Sequence, residues 1–364
     1  MPFLLHDRIQ ETTASTGTGD VSLDGPVAGF RAFSTRYSVG DTLYYAIYEV
    51  DSNGVPSGAW ETGIGTYSAT DTLSRTSVLE SSYADALISF TAGTKRVMVA
   101  MPALQGGSIR ERLNAPRTYY VRSDGSDNNT GVADTPTGAF ETIWYAVTFV
   151  TTTLDLNGQD VTIQVGAGTQ ASSLQLQYKH NGRILIIGDE TTPANCTMSV
   201  SGDSCVWARD GVQGYFVSGF KFTTTGWGYG VQADGPNTEI FFGSVEYGAC
   251  ASGHIYAGRG ASVVGNSDYT ISGGAPTHVE ATAGGAVDVA YFIGTLSGTP
   301  AFGTAFFSAS SLARIDINEG SFSGAATGVR FAVSSNAVID THGEADTFLP
   351  GSSAGTETTG GVYV

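Results

Sequence analysis

Two pairs of aspartates recur at one interval. Asp210 and Asp234 lie in Arg209-Asp210-Gly211 and Ala233-Asp234-Gly235, and Asp316 and Asp340 form the second pair, each pair 24 residues apart. If the chain repeats with that period, the members of each pair become neighbours on adjacent turns, about 4.8 Å apart. Two carboxylates that near each other suit a retaining glycosidase, and a wider pair an inverting one. Their repulsion would raise one pKa, as general-acid work requires. Arg209 and Arg259 flank the first pair, which leaves open a calcium-dependent lyase with an arginine base, but no three aspartates gather on neighbouring turns to hold the ion. Asp-Gly is also an ordinary turn dipeptide, selected for its backbone geometry. On balance no residue is assigned as catalytic; were the protein an enzyme, Asp210 with Asp234 or Asp316 with Asp340 would carry the chemistry.

Aromatic residues give the stronger signal. Trp207, Tyr215, Trp227 and Tyr229 crowd into two consecutive repeats, beside Arg209, Asp210 and Asp234. Strand alternation points Trp207 outward, because Val206 and Ala208 flank it. Trp227 sits in the turn Thr225-Gly226-Trp227-Gly228-Tyr229-Gly230. Flat exposed rings framed by acids and amides suit sugars, whose apolar faces stack while their hydroxyls take hydrogen bonds. These seven residues are the candidate carbohydrate site; the competing expectation is that the rings fill the core or an inter-subunit contact. His254 falls in an inward column with Val279 and Val329 and reads as a core histidine, and His278 in an adjoining turn. Cys196, Cys205 and Cys250 are odd in number and lack a C-x-x-C spacing, so buried free thiols are expected and zinc is not. No Ser-His-Asp order and no phosphate-cradling glycine loop stands out, and no cofactor is expected.

These side chains must be placed by a repeat that runs from about Gly214 to Thr341. The apolar residues Phe216, Ile240, Val264, Val289, Ile315 and Ile339 are spaced 24 to 26 apart. Tyr247, Ile271, Leu296 and Phe322 form a second column, and Tyr256, Ala281, Phe307 and Phe331 a third. Three apolar columns in step, with short strand-like runs between Gly, Ser, Asn and Asp, predict a solenoid of stacked β coils. Asp288 and Arg314 fall in one outward column and are expected to form a surface ion pair. Composition agrees: 49 glycines and only 14% charged residues favour turns over exposed helices. The net charge of −17 argues against nucleic acid and anionic membranes as partners. No basic, apolar leader follows Met1 and no long apolar run occurs, so neither a signal peptide nor membrane insertion is expected.

Residues 1–103 read differently. Tyr37–Val39, Thr42–Val50 and Lys95–Ala100 are predicted strands, with Asp51-Ser52-Asn53-Gly54 as a turn, giving a small antiparallel β domain, a sandwich or barrel. Residues 104–118 read as a neck. There Ser108-Ile109-Arg110-Glu111 has capping-box spacing for a short helix closed by Asn114-Ala115-Pro116. An amphipathic helix over roughly Phe140 to Val150, with Phe140, Ile143, Trp144 and Val147 on its apolar face, would cover the first coil. The Asp124-Gly125-Ser126-Asp127 stretch lacks the terminal glutamate of a calcium loop and reads as an Asx-rich turn without metal. The coil pattern decays after Thr341, and residues 351–361 read as a loose end.

Two stretches carry a resemblance. Asp7–Thr13, Trp60–Tyr67, Leu73–Leu79 and Phe90–Lys95 resemble an N-terminal module of tailed-phage virion proteins. Tyr119–Gly131, Ala139–Val147, Val161–Thr169 and Ile184–Asp189 look like the opening of right-handed parallel β-helices of the pectate-lyase type. Together they resemble a phage spike or tail fibre, a head spike, or the equivalent spike of a gene transfer agent. The resemblance implies an all-β chain: an attachment domain over 1–103 that docks to a tail or head protein, then a right-handed parallel β-helix over 119–364 for receptor binding. It further implies a homotrimer in a virion, made in the host cytoplasm, that recognises bacterial surface polysaccharide (capsule or O-antigen); the short solenoid, the ordinary carboxylate pairs and the lack of a visible C-terminal end domain favour binding without cleavage. A polysaccharide depolymerase of the tailspike type and a purely structural decoration fibre are the alternatives.

Overall fold

The computed structural model describes residues 4–102 and 110–364. The chain divides into two compact units, Met1–Ile109 and Arg110–Val364.

The first unit is one antiparallel sheet of six strands. In spatial order these are Gln10–Thr13, Lys95–Val99, Thr42–Val50, Pro56–Ala69, Thr72–Ser81 and Val21–Ser22. The strands follow one another in linear order, and the segment after Val21–Ser22 crosses to the opposite edge strand, where the Asp24 amide donates to the Thr12 carbonyl at 2.8 Å and the Thr12 amide to the Gly25 carbonyl at 3.0 Å. The two edges of the expected antiparallel β domain are therefore bridged, as in the barrel alternative, rather than left open. Tyr37–Val39 is not a strand; it follows a short 3-10 turn at Phe33–Thr35. Tyr37 instead plugs the core, its ring 5.8 Å from Phe33. Alternation along Thr42–Val50 buries Leu43, Tyr45 and Ile47, as the period of two requires.

The second unit is a parallel β-solenoid of about eight turns. Three parallel sheets run along it, of ten, seven and nine strands, and successive strands of the chain visit them in rotation. One continuous apolar core fills the interior. The inward column of the ten-stranded sheet is Tyr215, Ile240, Val263, Val287, Ile315 and Ile339. Phe216 and Val264, expected inside, point outward one residue over, and Val289 lies beyond its strand. In the second column Phe322 lies beside Gly294 rather than Leu296. In the third, Tyr256 faces out while Ile255 joins Val279, Phe307 and Phe331 inside. The coils continue past Thr341, with Thr356–Thr358 and Val362–Tyr363 adding strands to two sheets, so that region is not a loose end.

A helix, Ile143–Thr153, packs Ile143, Ala146, Val147 and Val150 against the core. It starts three residues later than expected, so Phe140 is buried ahead of it and Trp144 turns to solvent, 49% exposed. The start is fixed by side chains. Thr142 accepts from the Tyr145 amide at 3.1 Å, and Asp127 accepts from the amides of Glu141 and Thr142 and from the Thr142 hydroxyl at 2.9, 3.0 and 2.9 Å. Thr142 is therefore the cap, and Asp127, from the Asp-Gly-Ser-Asp stretch, holds the cap residue in place. Asp127→Ala is expected to lower stability by about 1.5–3 kcal/mol, the range for hydrogen bonds to a charged group, measurable as a shift in urea midpoint; no shift would mean that Thr142 and packing hold the helix start without Asp127. The neck helix expected over Ser108–Glu111 falls partly outside the described residues. Where the chain is described, Glu111–Arg112 is a short strand paired with Leu154–Asp155.

Candidate functional site

The strands Val206–Arg209, Tyr229–Asp234, Gly253–Gly258 and Ala275–Thr282 lie side by side in one sheet. Val206, Ala208, Val231, Ile255 and Ala257 point into the core, which turns Trp207 and Tyr256 to the outer face. Trp207 is thus where alternation put it. Trp227 stands in the turn before the second strand, 43% exposed. Its position is set by backbone that only glycine accepts easily. Gly226 and Gly228 have φ of 75° and 122°, and a Cβ on Gly228 would lie 1.9 Å from the Asp203 carbonyl oxygen. Thr224 Oγ1 donates to the Gly228 carbonyl at 2.8 Å, and the Gly228 amide donates to Ser252 Oγ at 3.0 Å.

The rings form a continuous series. Trp207 meets Trp227 edge-on at 6.3 Å, Trp227 meets Tyr229 at 6.3 Å, and Tyr229 meets Tyr256 at 4.8 Å. Tyr229 donates to Glu280 at 2.9 Å, and burial, then the Glu280 charge, push its phenol well above the ordinary value, so it stays a donor. Tyr256 and Glu280 were missed from sequence, though Ile255 and Ala257 flank Tyr256 as Val206 and Ala208 flank Trp207. Tyr215 does not belong here. It is fully buried on a different sheet, edge-on to His180 at 4.5 Å, and donates to the Tyr178 carbonyl at 2.8 Å.

Next to the aromatic series is an open pocket of about 600 Å³ lined by Lys179, Trp207, Arg209, Asp210, Asp234 and Arg259, among others. The expected Asp210–Asp234 column is off by one: Asp234 lies beside Arg209, not Asp210. Asp210 occupies the following turn at φ 62° and is exposed. Asp234 is buried and chelated by Arg259 through Nε at 2.7 Å and through Nη2. This pair is a salt bridge plus a turn residue, not two free carboxylates sharing a substrate.

Asp316 and Asp340 do stack as expected, with Asp288 beneath them. Arg314 Nη2 bonds both, reaching Asp340 at 3.0 Å, and His342 Nε2 lies 3.2 Å from Asp316. Arg314 therefore pairs with Asp316 and Asp340 rather than with Asp288, whose carboxylate instead accepts the Ala290 amide at 3.0 Å. Arg314 is thus the cation that bridges the two carboxylates, and one ligand atom from each of Asp316, Asp340 and His342 lies within 4.8 Å of the others.

His254 is a core residue as expected, but it stands beside His278 rather than Val279, which pairs with Ile255. His278, expected in a turn, is equally buried in the neighbouring strand, with the two Nδ1 atoms 3.0 Å apart. The three cysteines are buried free thiols. No protein-family model matches this chain, and no curated protein or solved structure does either.

Proposed function

We propose that this protein is a spike or fibre of a phage or phage-derived particle that holds bacterial surface polysaccharide on its solenoid without cleaving it, residues 1–103 attaching it to the particle, in a homotrimer. The aromatic series from Trp207 through Trp227 and Tyr229 to Tyr256 carries the binding part of this reading. It runs across successive coils, as a polymer of sugars would, and is bordered by Glu280, Asp234 and the arginines, which can meet hydroxyls. Rings offer flat apolar area with little rotamer entropy to lose. Non-catalytic binding is favoured because both candidate carboxylate pairs are engaged by arginine, and neither leaves a free acid facing a free base. The attachment role rests on the resemblance of the first hundred residues.

The test is retention of purified capsular or O-antigen polysaccharide. Trp227→Ala should weaken retention roughly 30-fold, the ~2 kcal/mol typical of a truncated anchoring aromatic. New reducing ends or unsaturated uronates would replace this reading by a depolymerase. Absence of retention by the unaltered protein would leave a structural fibre.

A further inference from the structure

We propose that the pocket beside Trp207 takes a sugar bearing an oxyanion, a carboxylate or a phosphate, so that the bound polymer is acidic; this rests on the polysaccharide reading above. The pocket carries a local excess of positive charge on a chain whose net charge is −17. Three cations, Lys179, Arg209 and Arg259, line the pocket against two carboxylates, Asp210 and Asp234. Only Arg259 is closely matched, by Asp234.

Arg209 is held in place by neutral acceptors, with the exposed Asp210 as a loose ion-pair partner at 3.7 Å. Its Nη2 donates to the amide oxygens of Gln175 and Gln177, both at 2.7 Å. Those neutral acceptors fix the plane of the guanidinium without offsetting its charge. Its Nε is buried with no hydrogen-bond partner, the Asp210 oxygen being 3.7 Å away. Its Cζ lies 4.9 Å above the Trp207 ring, so charge and stacking surface are adjacent. Lys179 is exposed and forms no hydrogen bond or ion pair among the described residues. It folds over the turn after Arg209: a side chain on Gly211 would begin 3.4 Å from its ammonium nitrogen. A pre-set guanidinium, a free ammonium and an aromatic edge in one pocket suit a pyranose ring carrying an oxyanion. A neutral sugar would leave the Lys179 ammonium without a counter-charge among the described residues.

The full-length protein, its Lys179→Gln variant and its Trp227→Ala variant are titrated with glucuronate, galacturonate and N-acetylneuraminate, with glucose and galactose as uncharged counterparts, and with glucose 6-phosphate. Binding is read by ligand-observed NMR and tryptophan fluorescence. An acidic sugar should bind roughly tenfold tighter than its parent hexose. That advantage should vanish in Lys179→Gln and in about 0.5 M salt, while Trp227→Ala weakens acid and hexose alike. Preference for glucose 6-phosphate over the carboxylates, lost in Lys179→Gln, assigns the oxyanion as phosphate. Equal affinity for acid and hexose, or an acid preference indifferent to Lys179→Gln, overturns the charge inference and leaves the polysaccharide reading standing. Failure of every sugar to bind overturns this inference; failure of the native polysaccharide as well overturns both.

Discussion

Glu61→Gln should destabilise the first unit by about 3–5 kcal/mol, the cost of removing one partner from a buried ion pair. Glu61 and Arg75 are 0% and 2% exposed. The carboxylate takes Arg75 through Nε at 2.6 Å and through Nη2, the Tyr45 hydroxyl at 2.8 Å and the Ile88 amide at 3.0 Å. Arg75 also donates to the carbonyls of Ile88 and Gly17 at 2.7 and 3.2 Å, and packs over the Phe90 ring at 5.1 Å. One ion pair thus ties the central strand Pro56–Ala69 to its neighbour Thr72–Ser81 and to the loops through Gly17 and Ile88. The amide in Glu61→Gln keeps the shape and removes the charge, so the arginine is stranded in a dry site. Hydrogen exchange in peptides from residues 42–99 should accelerate strongly, with solenoid peptides unchanged as the internal reference. Glu61→Leu with Arg75→Leu should cost less than the single change, because the stranded charge is gone. A loss under about 1 kcal/mol for Glu61→Gln would show that water reaches the guanidinium and that the network is not a keystone.

This network illustrates where the sequence stops being informative. Glu61 and Arg75 are 14 positions apart on strands of mixed polarity, and nothing local marks them as partners; only the antiparallel register joins them. The solenoid is different. Its period survives in the sequence because each coil must drop apolar residues into the same interior. Its register does not survive so well. Tyr215-Phe216, Phe241-Phe242 and Val263-Val264 each place two apolar residues side by side, one inward and one outward, so apolarity alone cannot tell the faces apart. Coil length also varies, and in a β structure a slip of one residue moves a side chain to the opposite face. That slip turned Arg209 beside Asp234 into an apparent Asp210–Asp234 pair. Asp316 and Asp340 came out correctly because their coil has no irregularity between Arg314–Asp316 and Val338–Asp340. Trp207 was legible because Val206 and Ala208 are unambiguous neighbours. Tyr215 was misplaced because a tyrosine beside a phenylalanine gives no such cue, and its hydroxyl reaches a backbone carbonyl inside the fold. The same rule explains the site as a whole: its outward rings can be read from alternation, whereas the charge pairing beside them depends on coil lengths.

The other large effect is expected on acidification, and it arises in the interior of the solenoid. His254 and His278 are completely buried, stacked on adjacent coils among Tyr247, Tyr269, Phe302 and Phe306. With their Nδ1 atoms 3.0 Å apart, one ring donates and the other accepts. His278 Nε2 is shared with the Tyr269 hydroxyl at 3.0 Å. Both rings are therefore neutral. Burial drives His254 down to about 3, and burial together with the His254 neighbour drives His278 well below its usual value. The other titratable groups packed here are Tyr247, Tyr269 and the thiols of Cys205 and Cys250. Burial pushes all four up, so they do not titrate below neutrality. In the unfolded chain each histidine takes a proton near pH 6.5. Between that value and the folded one the unfolded state binds more protons, so stability falls as pH falls and is insensitive to these two groups above about pH 7. At pH 5 each histidine should have removed about 2 kcal/mol, and the pair about 4 kcal/mol. Urea midpoints of the solenoid at pH 8 and pH 5 measure the difference. Replacing both, His254→Phe with His278→Phe, changes the absolute stability through packing and through the Tyr269 hydroxyl. The informative quantity is thus the pH slope, which should flatten by that amount, leaving only the contribution of the carboxylates. An unchanged slope in the double variant would mean that both histidines take up protons in the folded protein over the same pH range as in the unfolded chain.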